Sequence, residues 1–381
     1  MRINKHLSVS FLLAILSLPF ILNAQNDVDN VVIGKHVKLF SKVLNEERTL
    51  LISLPEGYDN SKQTYPVLYV LDGEKGTLVE AVASANPYAN SYCPEMIIVA
   101  IKITRRNRDV LPGTDTSPRF LKFITEELFT YIKKEYRADD NQRILYGASN
   151  AGVFVLFSFL DNPDNFSGYI ASSPTICWRK EFMINKTKEL LAKNININKF
   201  FYIIYGDKDF KVVVDTLEVY LPLFKKLKQK GLRLQTKYIP EEGHVPVGSL
   251  QLGLLAMYEG YIYPDEKRKT EGLDSLKAYY ARYSNKVGYV VNPPLNVLTR
   301  LGQWFLLEKK NYKESCNVLE YALQLYPDDF VCTVILAMAY WGDNSLDQAK
   351  KYYLKTLEIM KKTNEQEPPF DEWKAMKKKF E

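Results

Sequence analysis

Gly147-Ala148-Ser149-Asn150-Ala151-Gly152 lies between a strand-like run, Gln142-Arg143-Ile144-Leu145-Tyr146, and an unbroken apolar run over residues 153–160. A serine framed by small residues between a strand and a helix sits on a tight, strained turn that exposes its hydroxyl. The small neighbours are a steric need, because a larger side chain at Gly147 or Ala151 would collide with nearby backbone. The stretch departs from G-x-S-x-G at one place, where Ala151 replaces the second glycine.

The flanking sequence repeats the same alternation. Residues 65–71, Tyr-Pro-Val-Leu-Tyr-Val-Leu, form a continuous apolar run that ends at Asp72-Gly73, and residues 96–103 form another. Such runs fit parallel strands buried on both faces. Residues 167–171, 200–205 and 234–239 read as further strands, and 31–45 and 48–54 as two strands ahead of them. Residues 120–136 have helical spacing, with Phe120, Leu121, Ile124, Leu128 and Ile132 on one side, and 217–230 form an amphipathic helix closed by Gly231. Strands alternating with helices in this way predict a doubly wound, mainly parallel α/β sheet.

After Tyr263 the composition changes. Residues 264–269 are a charged linker, 273–283 a helix, and Asn292-Pro293-Pro294 a second break. Positions 34 residues apart then correspond: Gln303 with Ala337, Leu306 with Tyr340, Ser315 with Ala349, Leu319 with Tyr353, Ala322 with Thr356. Tyr326-Pro327-Asp328 closes the first unit. The pattern resembles tetratricopeptide repeats; an unrelated helical hairpin bundle is the alternative. Two units are few, so they should pack on a neighbouring helix or on the α/β domain. The expected organisation is a signal peptide over 1–24, the α/β domain over 25–263, and a linker with a helix over 264–292. Tetratricopeptide-like repeats follow over 293–363 and a polar tail over 364–381, with a short helix after Pro369.

Residues 1–24 carry Arg2 and Lys5, an apolar core over 9–22, and Leu22-Asn23-Ala24. This is the pattern of a secretory signal peptide, so a periplasmic or secreted protein is expected. A signal anchor is the alternative, but the core is shorter than the ~20 residues that span a bilayer. No other run is long enough to cross a membrane. The formal net charge is +6, or +4 once Arg2 and Lys5 are set aside. It is dispersed, with no concentrated basic stripe, which argues against nucleic acid. Cys93, Cys177, Cys316 and Cys332 lack metal-ligand spacing, and their pairing is not legible.

A serine hydroxyl is a weak nucleophile and needs a base within hydrogen-bond reach. Beyond residue 24 the histidines are His36, in the first predicted strand, and His244, in Pro240-Glu241-Glu242-Gly243-His244-Val245-Pro246 just after the last one. His244 is the candidate base and His36 a surface or structural residue. The base needs a carboxylate to hold its tautomer. Tyr205-Gly206-Asp207-Lys208-Asp209-Phe210 follows a strand and precedes His244. Asp209 is preferred, since it lies further past the strand end. Asp207 suits a turn role, and Asp215 falls where a helix should begin. An oxyanion needs two preorganised N–H groups. Asn150 supplies one, and the loop Asp72-Gly73-Glu74 the other, with Glu74 as its donor.

Several segments together carry a resemblance to the putative esterase family of α/β-hydrolases. That family includes siderophore esterases, feruloyl esterases and S-formylglutathione hydrolases. The segments are YPVLYVLDGE, IIVAIKITRRNRDVLP, FLKFITEELFTYIKKEYRADDNQRILYGASNAGVF, SSPTICW, YGDKDF and EEGHVPV. The resemblance covers residues 31–262 and implies Ser149 as nucleophile, Asp209 as acid and His244 as base. It implies a loop-structuring role for Arg108 and Asp109, and places Trp178 at the substrate cleft. Tyr88, Tyr92 and Trp178 are candidates for an aromatic-friendly lining, although core packing is the default for aromatic residues. The implied activity is an exported serine carboxylesterase that needs no cofactor or metal. Its substrate would be a siderophore-type or acylated-carbohydrate (feruloyl-type) ester, and acyl transfer would use the same residues. The alternative is a catalytically idle module that engages a protein partner through its repeats.

Overall fold

The computed structural model describes residues 31–60, 62–86, 92–363 and 365–381. The expected signal peptide and Tyr88 lie outside them. Eight strands form one sheet in the order β1-β2-β4-β3-β5-β6-β7-β8. Their ranges are β1 Lys35–Ser41, β2 Glu46–Ser53, β3 Tyr65–Leu71, β4 Ile97–Ile101, β5 Ala138–Ala148, β6 Gly168–Ser172, β7 Phe200–Gly206 and β8 Arg233–Ile239. β1 pairs antiparallel with β2, and β2 antiparallel with β4, while β4 to β8 run parallel. β3, β4, β6 and β7 are buried along their whole length, which is why they read as continuous apolar runs rather than alternating ones.

Helices cover both faces, and the period of two along each strand decides which residue meets which cover. Val67, Tyr69, Leu145, Tyr169, Phe201 and Ile203 share a core with α2 (Arg106–Val110), α3 (Thr116–Lys122), α4 (Phe129–Glu135), α5 (Asn150–Asp161), α6 (Lys180–Ala192) and α7 (Lys211–Phe224). A π-helical stretch, Phe123–Leu128, joins α3 to α4. Leu68, Val70, Ile98, Ile144, Tyr146, Ile170 and Tyr202 point the other way, to α1 (Lys75–Ala85) and α8 (Ser249–Met257). Each fully buried aliphatic or aromatic side chain contributes about 1.5–3 kcal/mol by leaving water.

The chain continues through α9 (Asp265–Thr270), α10 (Leu273–Val287), α11 (Leu295–Leu307), α12 (Tyr312–Leu325), α13 (Phe330–Gly342), α14 (Leu346–Thr363) and α15 (Asp371–Phe380). The architecture is therefore an α/β-hydrolase fold followed by an all-α part. Ser315, Leu319, Ala322, Ala337, Ala349, Tyr353 and Thr356 are all fully buried. The small ones among them let the helices approach closely, as at Gly302, where an added Cβ would stand 2.7 Å from Leu319. After the charged segment 264–269, α10 lies against the hydrolase domain. Tyr280 Oη donates to the Tyr261 carbonyl (2.9 Å), and Tyr279 Oη to the Gly260 carbonyl (2.7 Å). The tail after Pro369 forms α15, whose Trp373 and Met376 are fully buried, Trp373 against Tyr353 at 4.6 Å between ring centroids. All of Ile33–Glu381 forms one compact unit.

Candidate active site

Ser149 sits between β5 and α5 with φ 58° and ψ −123°, a conformation that L-residues avoid. The turn closes only because Gly147 has no side chain: an added Cβ would lie 2.6 Å from the Ala151 carbonyl oxygen. Ala151 is fully buried, and its methyl fits beside Gly147, whose hypothetical Cβ would stand 3.1 Å from it. The turn is pinned from the neighbouring strand, where the Ser172 carbonyl accepts the Ser149 N–H at 2.8 Å.

The two loops past β7 and β8 are laced together. Gly206 is required there, since a Cβ would fall 2.0 Å from the Glu242 carbonyl oxygen. The Lys208 N–H donates to that same carbonyl (2.9 Å), and the Asp207 N–H to Ile239 (3.1 Å). This crossing brings Asp209 under His244. His244 Nδ1 lies 2.7 Å from Asp209 Oδ1, and His244 Nε2 lies 2.9 Å from Ser149 Oγ. In the tautomer that fits both contacts, Nδ1–H donates to the carboxylate and Nε2 accepts the serine proton. The Asp209 side chain is wholly buried, whereas His244 keeps about a quarter of its side-chain surface in solvent (24%). Asp209 Oδ1 also accepts the Phe210 N–H at 2.6 Å. The histidine loop is held by the Val245 N–H donating to Ser173 Oγ (3.0 Å), with both residues at positive φ.

Of the competing aspartates, the described residues show His244 hydrogen-bonded to Asp209 and not to Asp207, and Asp215 is exposed and paired with Lys211 at 2.8 Å. His36 lies exposed on β1, opposite Leu51. Asn150 opens α5, so its N–H has no carbonyl four residues earlier within the helix and stands next to Ser149. Its side chain is fixed by Thr175 Oγ1 (2.5 Å) and donates to Asn107 Oδ1 (3.2 Å). The Glu74 N–H is engaged within its own loop, donating to the Asp72 carbonyl at 2.8 Å. The Glu74 side chain points to Lys102 (3.3 Å) rather than toward Ser149. Trp178 stands on the turn Ile176–Arg179 with 62% of its surface exposed. Tyr92 is buried with its hydroxyl on the Ser84 carbonyl, so it packs in the core and lines no cleft.

Several contacts here have no counterpart in the sequence reading. Phe210 is largely exposed, and its ring centre lies 5.0 Å from that of His244. Arg106 reaches both Asp72 and the Ala148 carbonyl. Its neighbours Arg108 and Asp109 do structural work: buried Asp109 accepts from Arg48 and Arg108, each at 2.7 Å, and Arg108 also grips Glu46. Among the described residues all four cysteines are free thiols, and no group of acidic, histidine and cysteine side chains is placed to hold a metal ion. No described helix is long and apolar enough to cross a membrane.

A serine hydroxyl, an imidazole and a buried carboxylate in one hydrogen-bonded line at the carboxyl ends of parallel strands define a class of site suited to acyl transfer. Residues 41–200 match the model of the family described as "Putative esterase", a likeness that supports a hydrolase acting on ester bonds. Ferri-bacillibactin esterase BesA from Bacillus subtilis is 28% identical over 249 residues, covering 56% of this chain and 85% of that protein. The IroE-like serine hydrolase from Shewanella oneidensis superposes with a TM-score of 0.67 at 24% identity, covering 76% of this chain and 99% of the other. Siderophore hydrolase EstB from Aspergillus nidulans superposes with a TM-score of 0.54 at 20% identity over 62% of this chain and 98% of its own. The two solved structures share the fold.

Proposed function

We propose that this protein is an exported serine esterase that hydrolyses a siderophore-type ester through an acyl-enzyme intermediate. The observation that carries the reading is the continuous line Ser149 Oγ–His244 Nε2, His244 Nδ1–Asp209 Oδ1, at 2.9 and 2.7 Å. Ser149 attacks the ester carbonyl while His244 takes its proton. Asp209 holds the imidazole and stabilises the imidazolium. Its other oxygen, Oδ2, is buried without a donor among the described residues, so the carboxylate charge is directed mainly to His244. The oxyanion is received by the Asn150 N–H and by the Glu74 N–H, which must release or share the Asp72 carbonyl as charge develops. His244 then gives its proton to the leaving alkoxide, and water repeats the sequence to free Ser149.

The siderophore class is supported by the likeness to ferri-bacillibactin esterase BesA, and export by the basic and then apolar pattern of residues 1–24. Exposed Phe210, whose ring centre lies 5.0 Å from that of His244, suits an aromatic group on the ester. The test is incubation with ferri-bacillibactin and, separately, with a feruloyl ester, with products identified by mass spectrometry. Free acid from the siderophore, absent with Ser149→Ala, is expected. No product from any ester would sink the reading, and a new ester with an added alcohol would make the protein an acyltransferase.

A further inference from the structure

We infer that Arg106 is a positioning residue that locks the loop carrying the second oxyanion donor to the turn carrying the nucleophile. The inference rests on the proposed roles of Ser149 as nucleophile and of the Glu74 N–H as second oxyanion donor. Arg106 lies on α2, which follows β4. Its Nε stands 3.0 Å from both Asp72 carboxylate oxygens, and its Nη2 lies 2.9 Å from Asp72 Oδ2 and donates to the Ala148 carbonyl at 3.1 Å. One planar guanidinium thus bonds two segments far apart in sequence, a geometry that a lysine ammonium cannot reproduce.

Both segments are strained and need holding. Asp72 has φ 54° and Ser149 φ 58°. The peptide between Ala148 and Ser149 is clamped at both ends, its carbonyl by Arg106 and its N–H by Ser172. On the other loop, the Asp72 carboxylate is held by Arg106, the Gly73 N–H by the Ile101 carbonyl (2.8 Å), and the Asp72 carbonyl by both Thr77 Oγ1 and the Glu74 N–H. The position of Asp72 therefore sets where the Glu74 N–H stands relative to Ser149 Oγ. The base of the bracket is rigid, because buried Asp109 on the same short helix is anchored to Arg48 of β2. Arg106 itself is 40% exposed, too open for an isolated pair with Asp72 to matter much for folding. Its effect should fall on catalysis.

Preorganised donors act on the transition state, so disturbing them lowers kcat and leaves KM in place. A substrate-binding arginine would do the reverse. The experiment is kcat and KM on a p-nitrophenyl ester for the full-length protein and for Arg106→Ala, Arg106→Lys, Asp72→Asn, the Arg106→Ala/Asp72→Asn double variant and Ser149→Ala. Arg106→Ala should lower kcat about 10–100-fold, less than the roughly 10²–10³ for deleting an oxyanion donor outright, with KM within about twofold. Arg106→Lys should recover little, and added guanidinium should restore part of the loss in Arg106→Ala. The double variant should be no worse than the poorer single one, because both break one link. If Arg106→Ala does not fold, Asp72→Asn, which keeps the shape of the side chain, carries the same prediction. Loss of turnover in Ser149→Ala, with unchanged kcat or only a raised KM in the Arg106 and Asp72 variants, would overturn this inference and leave the esterase reading standing. Full turnover by Ser149→Ala would overturn both.

Discussion

The two faces of the sheet are closed by different means. One is sealed by α2 to α7, all from the chain before residue 225, of which α5 begins at the Ser149 turn and α7 just past Asp209. The other is covered by α1 and α8 and then shares one continuous apolar cluster with α10 to α15. The Ser149–His244–Asp209 line thus belongs to the segment before α9, while the apolar core is shared with the later helices. The joint is aromatic. Tyr258, Tyr261, Tyr280 and Tyr283 interlock, with Tyr261 at 6.3 and 6.1 Å from the last two, and burial pushes the hydroxyl of each well above its usual titration range. These side chains stay neutral and act as packing, and Tyr280 among them also donates to the Tyr261 carbonyl.

The largest effects should come from the site alone. Ser149→Ala and His244→Ala are expected to cost roughly 10⁴–10⁶ in turnover. Their thermal unfolding should stay close to wild type, which calorimetry beside kinetics would establish. Asp209→Asn should fall about 10⁴-fold, as loss of the orienting carboxylate does in such triads, while Asp207→Asn should keep most of the rate. Equal losses at the two aspartates would break the assignment of Asp209.

The next test addresses the shared face. Deleting residues 264–381 strips the cover from the tyrosine seam, so the shortened chain should bind a hydrophobic dye or aggregate, although its triad is complete. A soluble, fully active truncation would contradict the shared core. Single large-to-small changes sharpen the comparison. Trp373→Ala and Phe154→Ala should each cost about 3–5 kcal/mol by denaturant titration. Only Phe154→Ala, in the helix that begins at the Ser149 turn, should also lower kcat of the folded fraction.

The smallest effect is electrostatic. Hydrogen bonds from Arg108 hold the Glu46 carboxyl below its usual value. A lowered folded pKa gives stability that is present above the unfolded pKa and lost as pH falls through the folded one. Glu46→Gln should therefore lower stability at pH 7 by on the order of 1 kcal/mol or less, since the site is partly exposed. The gap to wild type should close in acid.

How much of this was legible beforehand follows from the range of the physics involved. Continuous apolar runs such as residues 65–71 and 200–205 announce doubly covered strands, so the sheet was readable from local pattern. Ser149, Asp209 and His244 stood out because small residues, strand ends and chain order are all local signals. Arg106 did not, because Arg105, Arg106 and Arg108 look alike in sequence and only the fold selects the one that reaches Ala148. Arg48 hid for the same reason: a strand residue beside Glu46 and Glu47 reads as exposed, yet it is 1% exposed beneath the Phe120 ring. The tail read as polar because Trp373 and Met376 are two apolar residues among lysines, and their burial depends on α13 and α14 lying beneath them.

The most direct test of the central claim is covalent. Treating the full chain with a fluorophosphonate ester and mapping the adduct by peptide mass spectrometry reports which atom is the nucleophile. The account predicts one adduct, on Ser149, absent in His244→Ala over the same time. No adduct, or an adduct on another residue at the same rate in both proteins, would contradict it.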